Sequence, residues 1–280
     1  MRRVTSPLGL GRCPVRGLGL GWRRELALFI ERSPRLDFVE VLAEHLDPER
    51  PLPASLRHLR ERGTAVVLHG VGLSLGGAEG LDPKRLDRLA RLAEALGAVC
   101  VSEHVSFVRA GGLDAGHLLP LPRTEAALEV LCENVRVAQA ALPVPLALEN
   151  VAGLFEWPSP ELDEATFLAR ALEETDALLL LDLANLHANA RNHGWDAEAF
   201  LDRLPLARLA YVHLAGGVEK HGLFHDTHAH PVSEGALALL ASLQRRVTGV
   251  GVLLEWDDHF PGPAELDREL DAIAGRGALR

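Results

Sequence analysis

Short apolar runs, rich in leucine or β-branched residues, alternate along this chain with longer stretches of helical periodicity. Eight runs read as strands: Val15 to Gly21, Phe38 to Leu42, Ala65 to Val71, Val99 to Phe107, Pro145 to Val151, Ala177 to Asn185, Leu209 to Ala215 and Gly251 to Trp256. The helices predicted between and after them are Trp22 to Arg32, Ala54 to Arg62, Pro83 to Leu96, Glu125 to Ala141, Pro160 to Glu173, Asp196 to Leu204, Ser233 to Val247 and Pro263 to Ala274. Pro83, Pro160 and Pro263 each fall in a first helical turn, where the missing N–H is not needed, and Asp82 and Ser159 are expected to cap. Regular strand–helix alternation predicts an α/β fold built on a parallel sheet.

Seven of the eight runs end in an acid, an amide or a histidine: Glu40 and Glu44, His69, Glu103 and His104, Glu149 and Asn150, Asp182 and Asn185, His213, and Glu255. A doubly wound open sheet binds its ligand with two or three strand ends at one switch point. Polar ends on nearly every strand fit a closed (β/α)8 TIM barrel instead, in which all of them meet at one face. No repeat beyond the βα unit, no low-complexity segment and no linker interrupts the chain, so one domain over residues 1–280 is expected.

Composition narrows the chemistry. At 280 residues and 48% hydrophobic the chain can bury a large core, and its longest apolar run, Ala177 to Leu183, is broken by Asp182, so no membrane span is expected. The segment Met1 to Gly21 interleaves Gly and Pro where a signal peptide needs a continuous apolar stretch, which points to a cytoplasmic protein. Cys13, Cys100 and Cys132 are odd in number, far apart and outside any CxxC pair, which argues against a disulfide framework and a thiolate zinc site. A net charge of −10, with Lys84 and Lys220 as the lysines, argues against nucleic acid as a partner. Several of the 13 histidines sit at apolar strand ends, where an unpaired imidazole would be costly to bury.

The candidate metal ligands are therefore His69, His104, Glu149, Asp182, Asn185, His213 and Glu255. Imidazole and carboxylate donors without thiolate suit iron, manganese or zinc, and carboxylates can bridge two metals. The loop Gly216 to Val232 adds His221, His225, Asp226, His228 and His230. If Asp226-Thr227-His228 is extended, Asp226 and His228 face the same way as a two-ligand clamp; the alternative is a solvated His-rich loop. Glu40, Glu44, Glu103, Asn150, His187 and His193 are candidates to orient ligands or contact substrate. Gly17-Leu18-Gly19-Leu20-Gly21 lacks the GxGxxG spacing of a dinucleotide loop and reads as close backbone packing in the first strand. Gly70, Gly72, Gly76 and Gly77 make the loop after the third strand permissive, for substrate or simply for a tight turn. Cys100 reads as core.

Taken in order, these segments resemble the DUF692 family, also called UPF0276, grouped as multinuclear non-haem iron-dependent oxidative enzymes. The resemblance spans nearly the whole chain and rests on Gly17–Gly21, Leu68-His69-Gly70-Val71, Ser102-Glu103-His104, Leu118-Leu119-Pro120-Leu121-Pro122, Leu148-Glu149-Asn150 and Asp182-Leu183-Ala184-Asn185. It continues through Asn192-His193-Gly194, Val212-His213-Leu214-Ala215-Gly216, Asp226-Thr227-His228 and Leu254-Glu255. It implies a barrel holding two or three iron ions, with dioxygen as co-substrate, that modifies cysteine or another residue of a ribosomally made peptide. It also implies that His69, His104, Glu149, Asn185, His213, Asp226, His228 and Glu255 are ligands, with Asp182 in the same motif. Glu149 would bridge a pair of irons, and Asp226 and His228 would serve a third. Two departures stand out: Ala184 occupies a position usually Asn, and His187 one usually aromatic, which makes His187 a candidate extra ligand. Members often act with a separate peptide-recognition partner, and nothing here resembles one fused to the barrel. The same barrel and donors also suit a xylose-isomerase-like or endonuclease-IV-like enzyme using Mn, Mg or Zn without oxygen, or a non-catalytic iron-binding protein.

Overall fold

Eight parallel strands close on themselves in a computed structural model that describes residues 15–276; Cys13, the segment 1–14 and the last four residues lie outside it. In chain order the strands and helices are β1 (Gly17–Trp22), α1 (Ala27–Arg32), β2 (Phe38–Leu42), α2 (Ala54–Glu61), β3 (Ala65–His69), α3 (Pro83–Leu96), β4 (Cys100–His104), β5 (Ser106–Ala110), β6 (Leu113–Pro120) and α4 (Glu125–Ala141). There follow β7 (Leu146–Glu149), α5 (Glu164–Thr175), β8 (Leu178–Asp182), α6 (Leu183–His193), α7 (Ala197–Arg203), β9 (Leu209–Leu214), β10 (Gly217–Lys220), β11 (Leu223–Asp226), α8 (Glu234–Gln244), β12 (Gly251–Leu254) and α9 (Pro263–Ala274). The barrel order is β1-β12-β9-β8-β7-β4-β3-β2, with β1 paired to both β2 and β12, so the expected TIM barrel is what forms.

Two layers of apolar side chains hold it together. The larger lies between strands and helices, where Leu20, Val39, Val41, Leu68, Val101, Leu148, Leu181, Val212 and Leu254 pack against helix residues such as Ile30, Leu59, Leu92 and Leu240. The smaller fills the barrel with Phe38, Val67, Cys100, Ala147, Leu180, Tyr211 and Leu253. Strand residues alternate between these layers because their side chains have period two. Cys100 is core, as expected. In β1 the outward positions are Leu18, Leu20 and Trp22, which leaves glycines facing in. A Cβ on Gly19 would stand 2.4 Å from the Phe38 ring, so the expected close packing at this strand is real.

Several boundaries differ from expectation. The fourth run ends as barrel strand at His104, and Ser106–Pro120 forms the β5–β6 hairpin, while Gly216–Val232 contains the β10–β11 hairpin. The sixth run does not continue as strand to Asn185. It turns helical at Leu183, because the Asp182 carboxylate accepts a hydrogen bond from Asn185 N at 2.7 Å and caps α6. Asn185, His187 and His193 therefore stand on a helix. Asp82 caps α3 and Ser233 caps α8, but α5 starts at Glu164 under an Asp163 cap, and Ser159 sits in a turn at φ 56°.

Candidate metal centre

The barrel interior passes from apolar floor to polar mouth in one step of the strand repeat. Two residues after Phe38, Val67, Cys100, Ala147, Leu180, Tyr211 and Leu253 come Glu40, His69, Ser102, Glu149, Asp182, His213 and Glu255, all buried. Two residues beyond Ser102 comes His104. The convergence of these side chains thus follows from parallel register alone.

Glu149 is central. Its Oε2 lies 3.2 Å from His104 Nε2 and 3.5 Å from His69 Nε2, while its Oε1 lies 3.3 Å from His213 Nδ1. His213 Nδ1 is also 3.1 Å from Glu255 Oε2 and 3.9 Å from Asp182 Oδ2. Farther out, His228 Nε2 is 2.6 Å from Asp226 Oδ2 and 3.9 Å from Asp182 Oδ2, and its Nδ1 is 3.2 Å from Glu255 Oε2. Three groups share members and have donor atoms close enough for one ion each: His69, His104 and Glu149; Glu149, Asp182 and His213; Asp182, His228 and Glu255. Glu40 with His213 and Glu255 is a fourth such group.

Asp226 and His228 meet, but not as an extended clamp. His228 has a φ of 50°, in the left-handed region, and is held there by its N–H donating to Gly216 O and its carbonyl accepting from Asp257 N. His225 and His230 are only partly buried and His221 is exposed; His230 Nδ1 pairs with Thr227 Oγ1 at 2.8 Å.

The donor set fits a multinuclear metal centre. Glu149 Oε2, Asp182 Oδ2, Asp226 Oδ1, His213 Nδ1 and His228 Nδ1 are all buried without a hydrogen-bond partner, a costly arrangement unless something else satisfies them. The carboxylates are otherwise neutralised by the imidazoles. Burial opposes a charge on His104, yet Glu149 and Glu103 hold its pKa at about 9. Burial likewise works against His213 and His228, but Glu40, Glu255 and Glu149 raise the first well above its ordinary value and Asp226 and Glu255 raise the second. Burial would lift Glu149, which His104, His213 and His69 instead hold at about 2. Asp182 is pushed well above the usual carboxylate range, by burial first and then by Asp226. Cations in the middle of the cluster would take over the work of these protons.

The remaining candidates stand around the cluster. Glu103 accepts from Leu73 N and His104 N at 2.9 Å, and His104 Nδ1 donates to Gly70 O at 3.2 Å, which leaves His104 Nε2 facing Glu149. Asn150 pairs with the Asp182 backbone at both its amide atoms, and Asn185 Nδ2 donates to Asn150 O at 3.0 Å, so these amides lock β7 to the start of α6. Glu44 stands outside the buried donor groups. It is exposed on a short helical turn and accepts from Val71 N at 3.2 Å. His187 supplies no further ligand, because its ring packs edge-on to Phe224 and against Gly235. His193 meets Gly153 O at 2.7 Å beside the cluster, in a cleft also lined by Arg123, Phe155 and Trp195.

Four contributors escaped sequence reading. Arg23, 2% exposed, directly follows the one strand whose end is not polar, and its guanidinium meets Glu255 and Asp257. Asp257 approaches His228 Nδ1 at 3.2 Å. Ser102 and Tyr211 lie behind the histidines. Asp257, Ser102 and Tyr211 each lie two residues from a recognised candidate, and that register is the signal that could have found them.

The fold has solved counterparts. D-psicose 3-epimerase from Clostridium cellulolyticum H10 superposes with a TM-score of 0.61 at 13% identity, covering 93% of this chain and 98% of that one. The 3-keto-D-glucoside 4-epimerase YcjR of E. coli gives 0.58 at 16% identity, covering 94% and 99%. At such identities the likeness is one of fold. In sequence, a UPF0276 protein of Caulobacter vibrioides is 36% identical over 269 residues, 95% of each chain. A UPF0276 protein of Streptomyces avermitilis is 56% identical over 264 residues, 92% of this chain but 54% of that relative, so the chain spans about half of its length. Residues 17–276 match the family described as RiPP precursor modification enzyme MbnB/TglH/ChrH, and the chain belongs to that family.

Proposed function

We propose that this protein is an iron-dependent oxidative enzyme that uses dioxygen to modify a residue, cysteine foremost, of a ribosomally synthesised peptide in the cytoplasm. The observation that carries this reading is the buried cluster of four histidines and four carboxylates, several with unpartnered donor atoms, at the barrel mouth of a chain in a peptide-modifying family. Three overlapping donor groups suit two or three iron ions, and a separate protein would present the peptide.

The metal ligands in this reading are His69, His104, Glu149, Asp182, Asn185, His213, Asp226, His228 and Glu255. Bound ferrous iron would supply open coordination positions for a substrate thiolate and for dioxygen, and the electrons for oxygen reduction. Glu149 spans two donor groups and sets their separation. His104 holds its Nδ1 proton on Gly70 O and so presents Nε2 to the cavity. Asp182, Glu255 and Asp257 fix His228. The β5–β6 and β10–β11 hairpins follow strands β4 and β9 at the mouth and would limit water entry around a bound peptide.

The test is anaerobic reconstitution of the full chain with ferrous iron and the Cys-bearing peptide encoded nearest its gene, followed by air. An oxygen-dependent change in peptide mass is expected. No such change, or a manganese-dependent sugar epimerisation that needs no oxygen, would overturn the reading.

A further inference from the structure

We infer that Glu40, Tyr211 and Ser102 are positioning residues: a one-way hydrogen-bond relay ending on Glu40 selects which ring nitrogen of His69 and of His213 faces the metal cavity. The inference rests on the metal-binding reading above. The contacts form one unbroken chain inside the barrel. His69 Nδ1 lies 2.8 Å from Ser102 Oγ, Ser102 Oγ 2.8 Å from Tyr211 OH, Tyr211 OH 2.5 Å from Glu40 Oε2, and His213 Nε2 2.8 Å from the same Glu40 oxygen. All five side chains are 0–2% exposed, so water does not compete for these bonds.

Proton counting gives the direction. Tyr211 O–H donates to Glu40 Oε2, and the same carboxylate oxygen accepts from His213 Nε2–H. Tyr211 has one proton, spent on Glu40, and must therefore accept from Ser102. Ser102 also has one proton, spent on Tyr211, and must accept from His69 Nδ1–H. A metal that displaces the remaining ring proton would then meet His69 at Nε2, on the side of Glu149 Oε2, and His213 at Nδ1, on the side of Glu149 and Glu255. The two imidazoles, whose ring centroids are 5.5 Å apart, thus bind through different nitrogens because both answer to one carboxylate. Three members of this relay, Glu40, Ser102 and Tyr211, lie one strand step below a cluster residue or face it directly, on β2, β4 and β9.

The relay makes an asymmetric prediction. In Tyr211→Phe, the Ser102 hydroxyl loses its acceptor and can turn to donate to His69 Nδ1, which moves the ring proton to Nε2 and blocks the metal. The Glu40–His213 bond survives. The experiment uses the full chain loaded with zinc as a diamagnetic probe, with long-range ¹H–¹⁵N correlation spectra of the histidine rings and a zinc titration. The wild type should show Nδ1–H on His69 and Nε2–H on His213. Tyr211→Phe should weaken zinc at the His69 group about 10- to 100-fold and leave the His213 ring signals unchanged. Ser102→Ala should weaken the same group, and Ser102→Thr, which keeps the hydroxyl, should restore it. A general packing defect would not discriminate between the two histidines or be rescued by Thr.

The opposite nitrogen pattern on either ring overturns the relay while leaving metal binding intact. So does equal loss at both histidines in Tyr211→Phe, or loss of a zinc equivalent in Glu40→Gln with the His213 pattern unchanged, which would make Glu40 a ligand. Failure of the wild type to bind zinc would remove both the relay and the metal reading.

Discussion

Arg23 Nη2 lies 3.1 Å from Glu255 Oε1, and both side chains are nearly inaccessible to water, at 2% and 4% exposure. The same guanidinium engages Asp257 Oδ1, so one cation braces two carboxylates that both approach His228. Leaving a buried acid with no partner costs about 3–5 kcal/mol, and His213 and His228 still flank Glu255 when Arg23 is gone. Arg23→Ala should therefore destabilise the metal-free protein by less than that amount in urea unfolding. Arg23→Lys should fall between, because an ammonium cannot offer the planar fork that serves both acids.

Glu149 and Asp226 should differ in what they cost the metal content. Glu149 contacts His69, His104 and His213, whereas Asp226 contacts His228. Metal analysis of protein reconstituted with ferrous iron should find more than one equivalent lost in Glu149→Ala and no more than one in Asp226→Ala.

Acidity should act oppositely on the metal-free and metal-loaded forms. His104, with its pKa raised to about 9, stabilises the metal-free fold fully below its ordinary value near 6.5, and that contribution fades as pH rises through about 9. Chelator-treated protein should therefore melt at a lower temperature at pH 9.5 than at pH 7. Metal must displace the same proton, so affinity should rise over this interval, by up to about tenfold per pH unit for each proton released. Thermal melts and competitive metal titrations at the two pH values check both signs.

Glu269 offers a test outside the donor set. Burial lifts its carboxyl to about 7, even though it accepts from Val232 N at 3.2 Å. A raised carboxyl pKa means that ionisation penalises the fold, so stability is lost as pH rises from about 4.5 through 7. Glu269→Gln should stabilise the protein at pH 8 by on the order of 1 kcal/mol, after allowance for solvent screening, and have little effect at pH 5. Denaturant unfolding at the two pH values measures it.

The barrel and the heart of the cluster were legible because two periodicities coincide. Parallel strands buried on both faces read as apolar runs, and the first polar residue after each run marks the mouth. The α6 helix was hidden by the continuity of Leu178 to Leu186, where only the capping role of Asp182 separates strand from helix. Both hairpins were hidden by exposure, since β6 and β10 carry few buried residues. Tyr211 is core, and its hydroxyl could have been picked out by its register two residues before His213, whereas the role of Arg23 shows only in its neighbours across the barrel. His187 fell at a motif position but lies on the side of α6 turned toward Phe224.

The inward glycines of β1 bear on how this centre tolerates change. Seven strands present an apolar floor side chain and a polar one above it, while β1 presents Gly19 and Gly21. The Phe38 ring occupies the place of a Gly19 side chain, and the Arg23 guanidinium stands 3.2 Å from where a Gly21 Cβ would be. The first strand thus serves as an empty stave in the cask, and its missing side chains give the Glu255 anchor room to fold back inside. A methyl group there would do its damage on the opposite side of the closure, by displacing Arg23 from a carboxylate 232 residues away.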